Sequence, residues 1–164
     1  MFGEGDNLRM MLESIRNWMR DGDPMPVCKL VGMTVEAVES GWCRASIDAG
    51  PQHWTPFGTV HGGLLCDLSD LAMGMAFMTT LGEGEALATI ELKINFFRPV
   101  REGLLHAEAR VVHRGKSTGY VECDIKDGAG RLIAKAASTC MVTRDDRAAA
   151  LAGLFAKRSR NADS

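Results

Sequence analysis

The sequence lacks the features that would mark it for a nucleic acid, a metal or a membrane. Lysine and arginine total 19 against 21 aspartates and glutamates, a net charge of −2, whereas a dedicated nucleic-acid binder is clearly basic. The longest apolar run, around Leu71 to Leu81, falls well short of a membrane-spanning helix. The opening residues, with Glu4, Asp6 and Asn7, lack the basic-then-apolar layout of a secretory leader. The five cysteines, Cys28, Cys43, Cys66, Cys123 and Cys140, form no C-x-x-C pair and are odd in number. They signal neither a zinc site nor a disulfide framework, and the expectation is a cytoplasmic protein with reduced, mostly buried thiols. His53, His61, His106 and His113 have no metal-ligand spacing, so no metal is expected, and nothing implies a cofactor.

Two partial motifs fail on one residue each. Gly115-Lys116-Ser117 ends like a phosphate-binding P-loop, but Arg110 stands where the first glycine is needed. Gly82-x-Gly84 has Leu87 in place of the third glycine of a dinucleotide fingerprint. There is no internal repeat.

What is present is a chain of 164 residues, 46% hydrophobic, long enough for one domain with a real core. Apolar residues at Leu8, Met11, Leu12, Ile15, Trp18 and Met19 keep helical spacing from Asp6 to Arg20, with Asp6 or Asn7 as cap. Asp21-Gly22-Asp23-Pro24 ends that helix, and Met25 to Leu30 reads as one further turn. Strands follow over Met33 to Val38 and Trp42 to Ile47, around the turn Glu39-Ser40-Gly41. A loop with Gly50-Pro51 and Pro56 leads to a helix over about Gly62 to Leu81, stopped by Gly82-Glu83-Gly84. Four strands come next: Ala88 to Phe97, Leu104 to His113, Ser117 to Lys126 and Leu132 to Val142. The tail from Arg144, first Ala/Leu-rich and then basic, is expected to be a frayed helix or disordered. One helix that is apolar on nearly every side must be wrapped by a curved sheet, and must also meet something on its outer face. The fold class is therefore α+β.

That helix carries the chemistry. Gly62-Gly63 at its start lets a ligand approach bare N–H groups at the positive end of the helix dipole. Between His61 and Gly82 the only charged residues are Asp67 and Asp70. The dipole near the helix start accounts for Asp67. Asp70 lies more than two turns in, beside Leu68, Leu71 and Ala72, which imply burial, and a buried carboxylate needs a partner or a task. The ten methionines are first of all core filler, and secondly an adaptable lining for an acyl or aryl pocket.

The segment Thr55-Pro56-Phe57-Gly58-Thr59-Val60-His61-Gly62-Gly63, followed by Leu68-Ser69-Asp70 and Ala72-Met73-Gly74, resembles the signature of PaaI-type hotdog-fold acyl-CoA thioesterases. Those proteins read N-P-x-G-x-x-H-G-G and then L-x-D-x-A-x-G. Arg98-Pro99-Val100 and His113-Arg114-Gly115-Lys116 resemble further landmarks of the family, and the likeness runs from about Met25 to Thr143. It implies three segments: an N-terminal helical extension over 1–24, a hotdog domain over 25–143 and a C-terminal tail over 144–164.

The resemblance also implies a long helix wrapped by an antiparallel sheet, in a homodimer or homotetramer whose sheets join. The sites then lie between subunits, with the helix-start glycine from one chain and the acid from the other. The Gly62 N–H would polarise a thioester carbonyl, Asp70 would act as general base or nucleophile, and Thr89 would position the water. Thr55, His61 and Gly63 are implied substrate contacts, although His61 also shapes the turn into the helix. Arg114 and Lys116 would grip the phosphates of coenzyme A. Thr55 replaces the usual Asn or Gln and reaches less far than an amide; His53 is the nearby residue that could substitute for it. That departure keeps open a non-hydrolytic acyl-CoA or acyl-carrier binding protein. A hotdog dehydratase or hydratase would need a His paired with its acid, and no such pairing surrounds Asp70.

Overall fold

A computed structural model describes residues 4–20 and 25–146 of the chain. In order along it come α1 (Glu4–Arg20), α2 (Pro26–Val31), β1 (Met33–Glu39), β2 (Trp42–Ala49), a 3-10 turn (Pro51–His53), α3 (Gly62–Met78), β3 (Ala86–Phe96), β4 (Gly103–Arg114), β5 (Thr118–Asp127) and β6 (Leu132–Thr143). The six strands form one antiparallel sheet in the order β1-β2-β4-β5-β6-β3. The sheet curls around α3, which is the hotdog arrangement expected from the sequence.

Alternation decides the two faces of the sheet. In β5, Val121, Cys123 and Ile125 are buried against α3 while Tyr120, Glu122, Asp124 and Lys126 turn outward. The outer face is a ladder of ion pairs: Arg44 with Glu36 at 2.9 Å, Lys126 with Glu108 at 3.3 Å, and Lys135 with Glu122 at 3.1 Å and Asp124 at 3.2 Å. Bulges at Val35/Ala37, Thr89/Glu91, Val111/His113 and Ile125/Lys126 add the local twist that a wrapped sheet needs.

Leu64, Leu65, Leu68, Ala72, Met73, Ala76 and Phe77 of α3 fill the concave face. Phe77 lies so close to β5 that a Cβ on Gly119 would come within 2.1 Å of its ring. Only glycine fits there. The helix ends at Met78, before the expected Leu81, because Thr79 and Thr80 turn their hydroxyls back onto the carbonyls of Ala76 and Phe77, at 2.7 Å each. Leu81 is nevertheless fully buried, so the apolar run outlasts the helix.

At the other end of the chain, α1 begins at Glu4, before both expected caps. It lays Ile15 and Trp18 into the common core beside β1, and Arg16 donates to the Val38 carbonyl at 3.3 Å. The expectation for the tail falls mostly outside the described residues. The five thiols are unpaired, and burial pushes those of Cys43 and Cys123 up to about 12. No helix among the described residues is long and apolar enough to cross a membrane.

Candidate active site

The loop between β2 and α3 sets up the helix start. His61 is the N-cap of α3, and its Nδ1 accepts from the Gly63 N–H at 2.9 Å. That bond uses one of the two glycine amides. The Gly62 N–H, at the first helical position, belongs to the donors that a helix leaves without an intrahelical partner. The Phe96 ring lies over Gly62, where a Cβ would meet its Cζ at 3.1 Å.

Thr55 sits in the same loop, half-buried, with its hydroxyl accepting from the Phe57 N–H at 3.3 Å and 3.4 Å from that of Thr59. Gly58, at φ +70°, closes the turn by donating to the Thr55 carbonyl at 3.0 Å. His53, the possible substitute, has both ring nitrogens engaged. It accepts from the Gly50 N–H at 3.2 Å and meets the Val31 carbonyl at 3.1 Å, tying the loop to the end of α2.

Asp70 lies eight residues beyond Gly62, about 12 Å along the helix axis. The structure corrects the expectation that it is buried: in the single chain it is exposed. Of the apolar neighbours that suggested burial, Leu68 and Ala72 are fully buried on another side of α3, and Leu71 lines the same groove as Asp70. Thr89 of β3 donates its hydroxyl to Asp70 Oδ1 at 3.2 Å, next to the bulge between Thr89 and Glu91. Cys140, paired with Thr89 across the β3–β6 ladder, has a thiol pushed up first by burial and also by the Asp70 charge.

Asp67 and Asp70 line a groove of about 390 Å³ whose other surfaces are almost wholly apolar. The stripe Leu71, Gly74, Met75 and Met78 continues along α3; Met25, Val27 and Cys28, leading into and through α2, form the facing wall; Met33 and Leu87 complete it. Pro26 at the first position of α2 and Gly32, at φ +86° after its end, fix that short helix in place.

Arg114 is not among the residues that line this groove. Its guanidinium meets Glu85 at 2.6 Å, donates to the Gly115 carbonyl and stacks 5.3 Å over the Phe77 ring, near the C-terminal end of α3. Lys116, in the turn after β4, is exposed. Among the described residues no three His, Cys, Asp or Glu side chains are grouped to hold a metal.

A family model described as the thioesterase superfamily matches residues 57–134, from the loop before α3 into β6. An esterase-named protein of Saccharolobus solfataricus is 33% identical over 119 residues, covering 73% of this chain and 79% of that one. The 1,4-dihydroxy-2-naphthoyl-CoA hydrolase of Listeria monocytogenes is 26% identical over 120 residues, 73% of this chain and 98% of the relative. A solved structure from Ralstonia eutropha, a thioesterase-named protein related to phenylacetic acid degradation, superimposes with a TM-score of 0.70 at 30% identity, covering 78% of this chain and 98% of that one. This chain belongs to the thioesterase superfamily.

For a member of that superfamily, the residues expected from the sequence fall into three groups. Asp70 and Thr89 are brought into direct contact. His61, Gly62 and Gly63 form the start of α3, and Thr55 lies in the loop that leads to it. Arg114 and Lys116 stand at the β4–β5 turn, Arg114 already paired with Glu85. Sequence reasoning missed the wall formed by α2 and the ring of Phe96 over Gly62, and it quoted Gly74 only as part of the family signature, without placing it in the groove. Only Gly74 carried a signal, as a glycine in the interior of an otherwise apolar helix.

Proposed function

We propose that the chain hydrolyses an acyl-CoA thioester bearing an apolar acyl group. The observation that carries this reading is a carboxylate, Asp70, held by the Thr89 hydroxyl in a groove that is apolar apart from Asp70 and Asp67. Water attacks the thioester carbonyl carbon while Asp70 takes its proton. The carbon–sulfur bond then breaks, and the proton passes to the departing thiolate, giving free acid and thiol. Direct attack by Asp70, through a mixed anhydride, uses the same placement. The groove's two carboxylates disfavour an acyl group that is itself anionic.

The carbonyl oxygen needs a donor, and Gly62 supplies one at the positive end of α3. Within one chain that N–H and Asp70 are about 12 Å apart along the axis, too far to hold and attack the same carbonyl. The site therefore forms between two copies, Gly62 from one and Asp70 from the other. Joining the sheets along β3 suits this, because β3 is an edge strand with exposed apolar side chains. Lys116, exposed at its turn, is the cation available to the coenzyme A phosphates; Arg114 would first have to release Glu85.

One observation favours the non-hydrolytic alternative: the Thr55 hydroxyl is spent within its own loop. Thiol release from a panel of acyl-CoAs decides between the two. Hydrolysis should fall by about 10²–10⁴-fold in Asp70→Asn and Asp70→Ala, and less in Thr89→Ala, with Thr89→Ser close to the parent. Lys116→Ala should raise KM for acyl-CoA but not for the pantetheine thioester. Hydrolysis that survives both Asp70 substitutions removes Asp70 from the mechanism. Binding without hydrolysis of any thioester establishes the alternative.

A further inference from the structure

We propose that Gly74 determines how far the acyl group can extend along α3, an inference that rests on the thioesterase reading above. Three glycines lie in α3, and two have reasons in the chain itself. A Cβ at Gly62 would meet Phe96 at 3.1 Å, and one at Gly63 would meet His61 Nδ1 at 2.8 Å. Gly74 has neither reason. A Cβ there would find nothing within 4 Å, and its backbone φ is not positive. It also stands in a helix interior, where glycine is less favourable than alanine. Within the single chain, packing and backbone conformation both accept a side chain.

What a side chain at 74 would take away is room in the groove. Gly74 lines the groove one helical turn beyond Asp70, between the two aspartates and Met75 and Met78 further along. A thioester carbonyl at Asp70 sends its acyl chain down this stripe, so the chain must pass Gly74 to reach the methionines. The methionines are flexible and polarisable and can adapt to the shape of what arrives. A Cβ at 74 is fixed to the helix backbone and cannot move aside. Position 74 is thus the gate, and the apolar end beyond it is the adaptable part.

The test compares the parent chain with Gly74→Ala and Gly74→Val, using propionyl-CoA and decanoyl-CoA. The ratio of kcat/KM for decanoyl-CoA over propionyl-CoA should fall several-fold in Gly74→Ala and by about tenfold or more in Gly74→Val. Far-UV dichroism and sedimentation of both variants should match the parent; Gly74→Ala, a favourable helix substitution, secures the comparison if valine perturbs folding. An unchanged ratio in both variants overturns the proposal and leaves the thioesterase reading intact. A changed oligomeric mass in Gly74→Ala also overturns it, since Gly74 would then be a subunit-packing position. If the parent hydrolyses no member of the wider acyl-CoA panel, the thioesterase reading fails by itself. Calorimetric binding of decanoyl-CoA then decides the gate: weaker binding in Gly74→Val supports it, and unchanged binding overturns it.

Discussion

Two carboxylates in this chain sit in opposite circumstances. Asp70 is exposed and accepts a hydroxyl from Thr89, so its charge is open to a substrate. Glu85 is enclosed. It accepts from the Gly82 N–H at 3.0 Å and pairs with both Arg114 and Arg144. Burial alone would push the Glu85 carboxyl up, but the Gly82 amide and the two arginines together outweigh it and hold it below its ordinary 4.5. With the folded value below the unfolded one, this group stabilises the fold fully above pH 4.5, and the contribution is lost as pH falls through the folded value. Glu85→Gln should therefore cost about 1–2 kcal/mol at neutral pH, since it leaves a half-buried Arg114 without its counter-charge. The difference from the parent should shrink steadily below pH 4.5 in urea titrations. A deficit that stays constant into acid would mean the glutamate acts by shape rather than charge.

At the scale of elements, α3 packs tightly against β5 at one position. A Cβ added at Gly119 on β5 would stand 2.1 Å from Phe77 Cε2, a distance no Cβ tolerates, and 3.0 Å from the His113 carbonyl oxygen. Gly119→Ala should lower stability by about 1–3 kcal/mol through overpacking, read as a drop in Tm, and Phe77→Leu in the same chain should recover part of it. A Gly119→Ala chain as stable as the parent would show that the ring can move aside.

The same helix shows why some of the structure was legible in the sequence and some was not. Element order, strand alternation and the apolar helix follow from periodicities of 2 and 3.6, which are local. The end of α3 was misplaced because burial of Leu81 continues an apolar run past a helix stopped by two threonine hydroxyls. Burial of Asp70 was inferred from its sequence neighbours, but Leu68 and Ala72 face the sheet while Leu71 shares the open groove with Asp70. The pairing of Asp70 with Thr89 was legible only through the family resemblance, since 19 residues separate them. The groove was legible only in its lining: the methionines were read secondly as lining for an acyl or aryl pocket, and Met25, Met33, Met75 and Met78 do line it. Its walls come from α2, β1, α3 and β3, and no local pattern encodes their meeting.

At the scale of the whole molecule, a single chain leaves surfaces unmet. Ile90, Phe96 and Phe97, at or just beyond β3, are 59%, 52% and 53% exposed, on a strand that, among the described residues, is at the edge of the sheet with one side unpaired. Asp70 and its apolar groove are open as well. A second copy joined along β3 would cover apolar surface and bring a helix start towards each Asp70. Mixing two inactive variants tests this arrangement. Asp70→Asn supplies a sound Gly62 and Gly62→Val supplies a sound Asp70. If each site takes one residue from each chain, every mixed dimer holds one intact site and one doubly damaged site. Equimolar mixing with subunit exchange should then restore about one quarter of parental activity, because half the dimers are mixed and each carries one of two sites. If each chain carried a whole site, both sites of every mixed dimer would stay damaged and nothing would return. Replacing Ile90 and Phe97 together by lysine should leave the fold intact, since both are exposed in the single chain. It should also give monomers by sedimentation and abolish the recovery. An active monomer would contradict the shared site, because the helix spacing of about 12 Å leaves one chain no means of closing it.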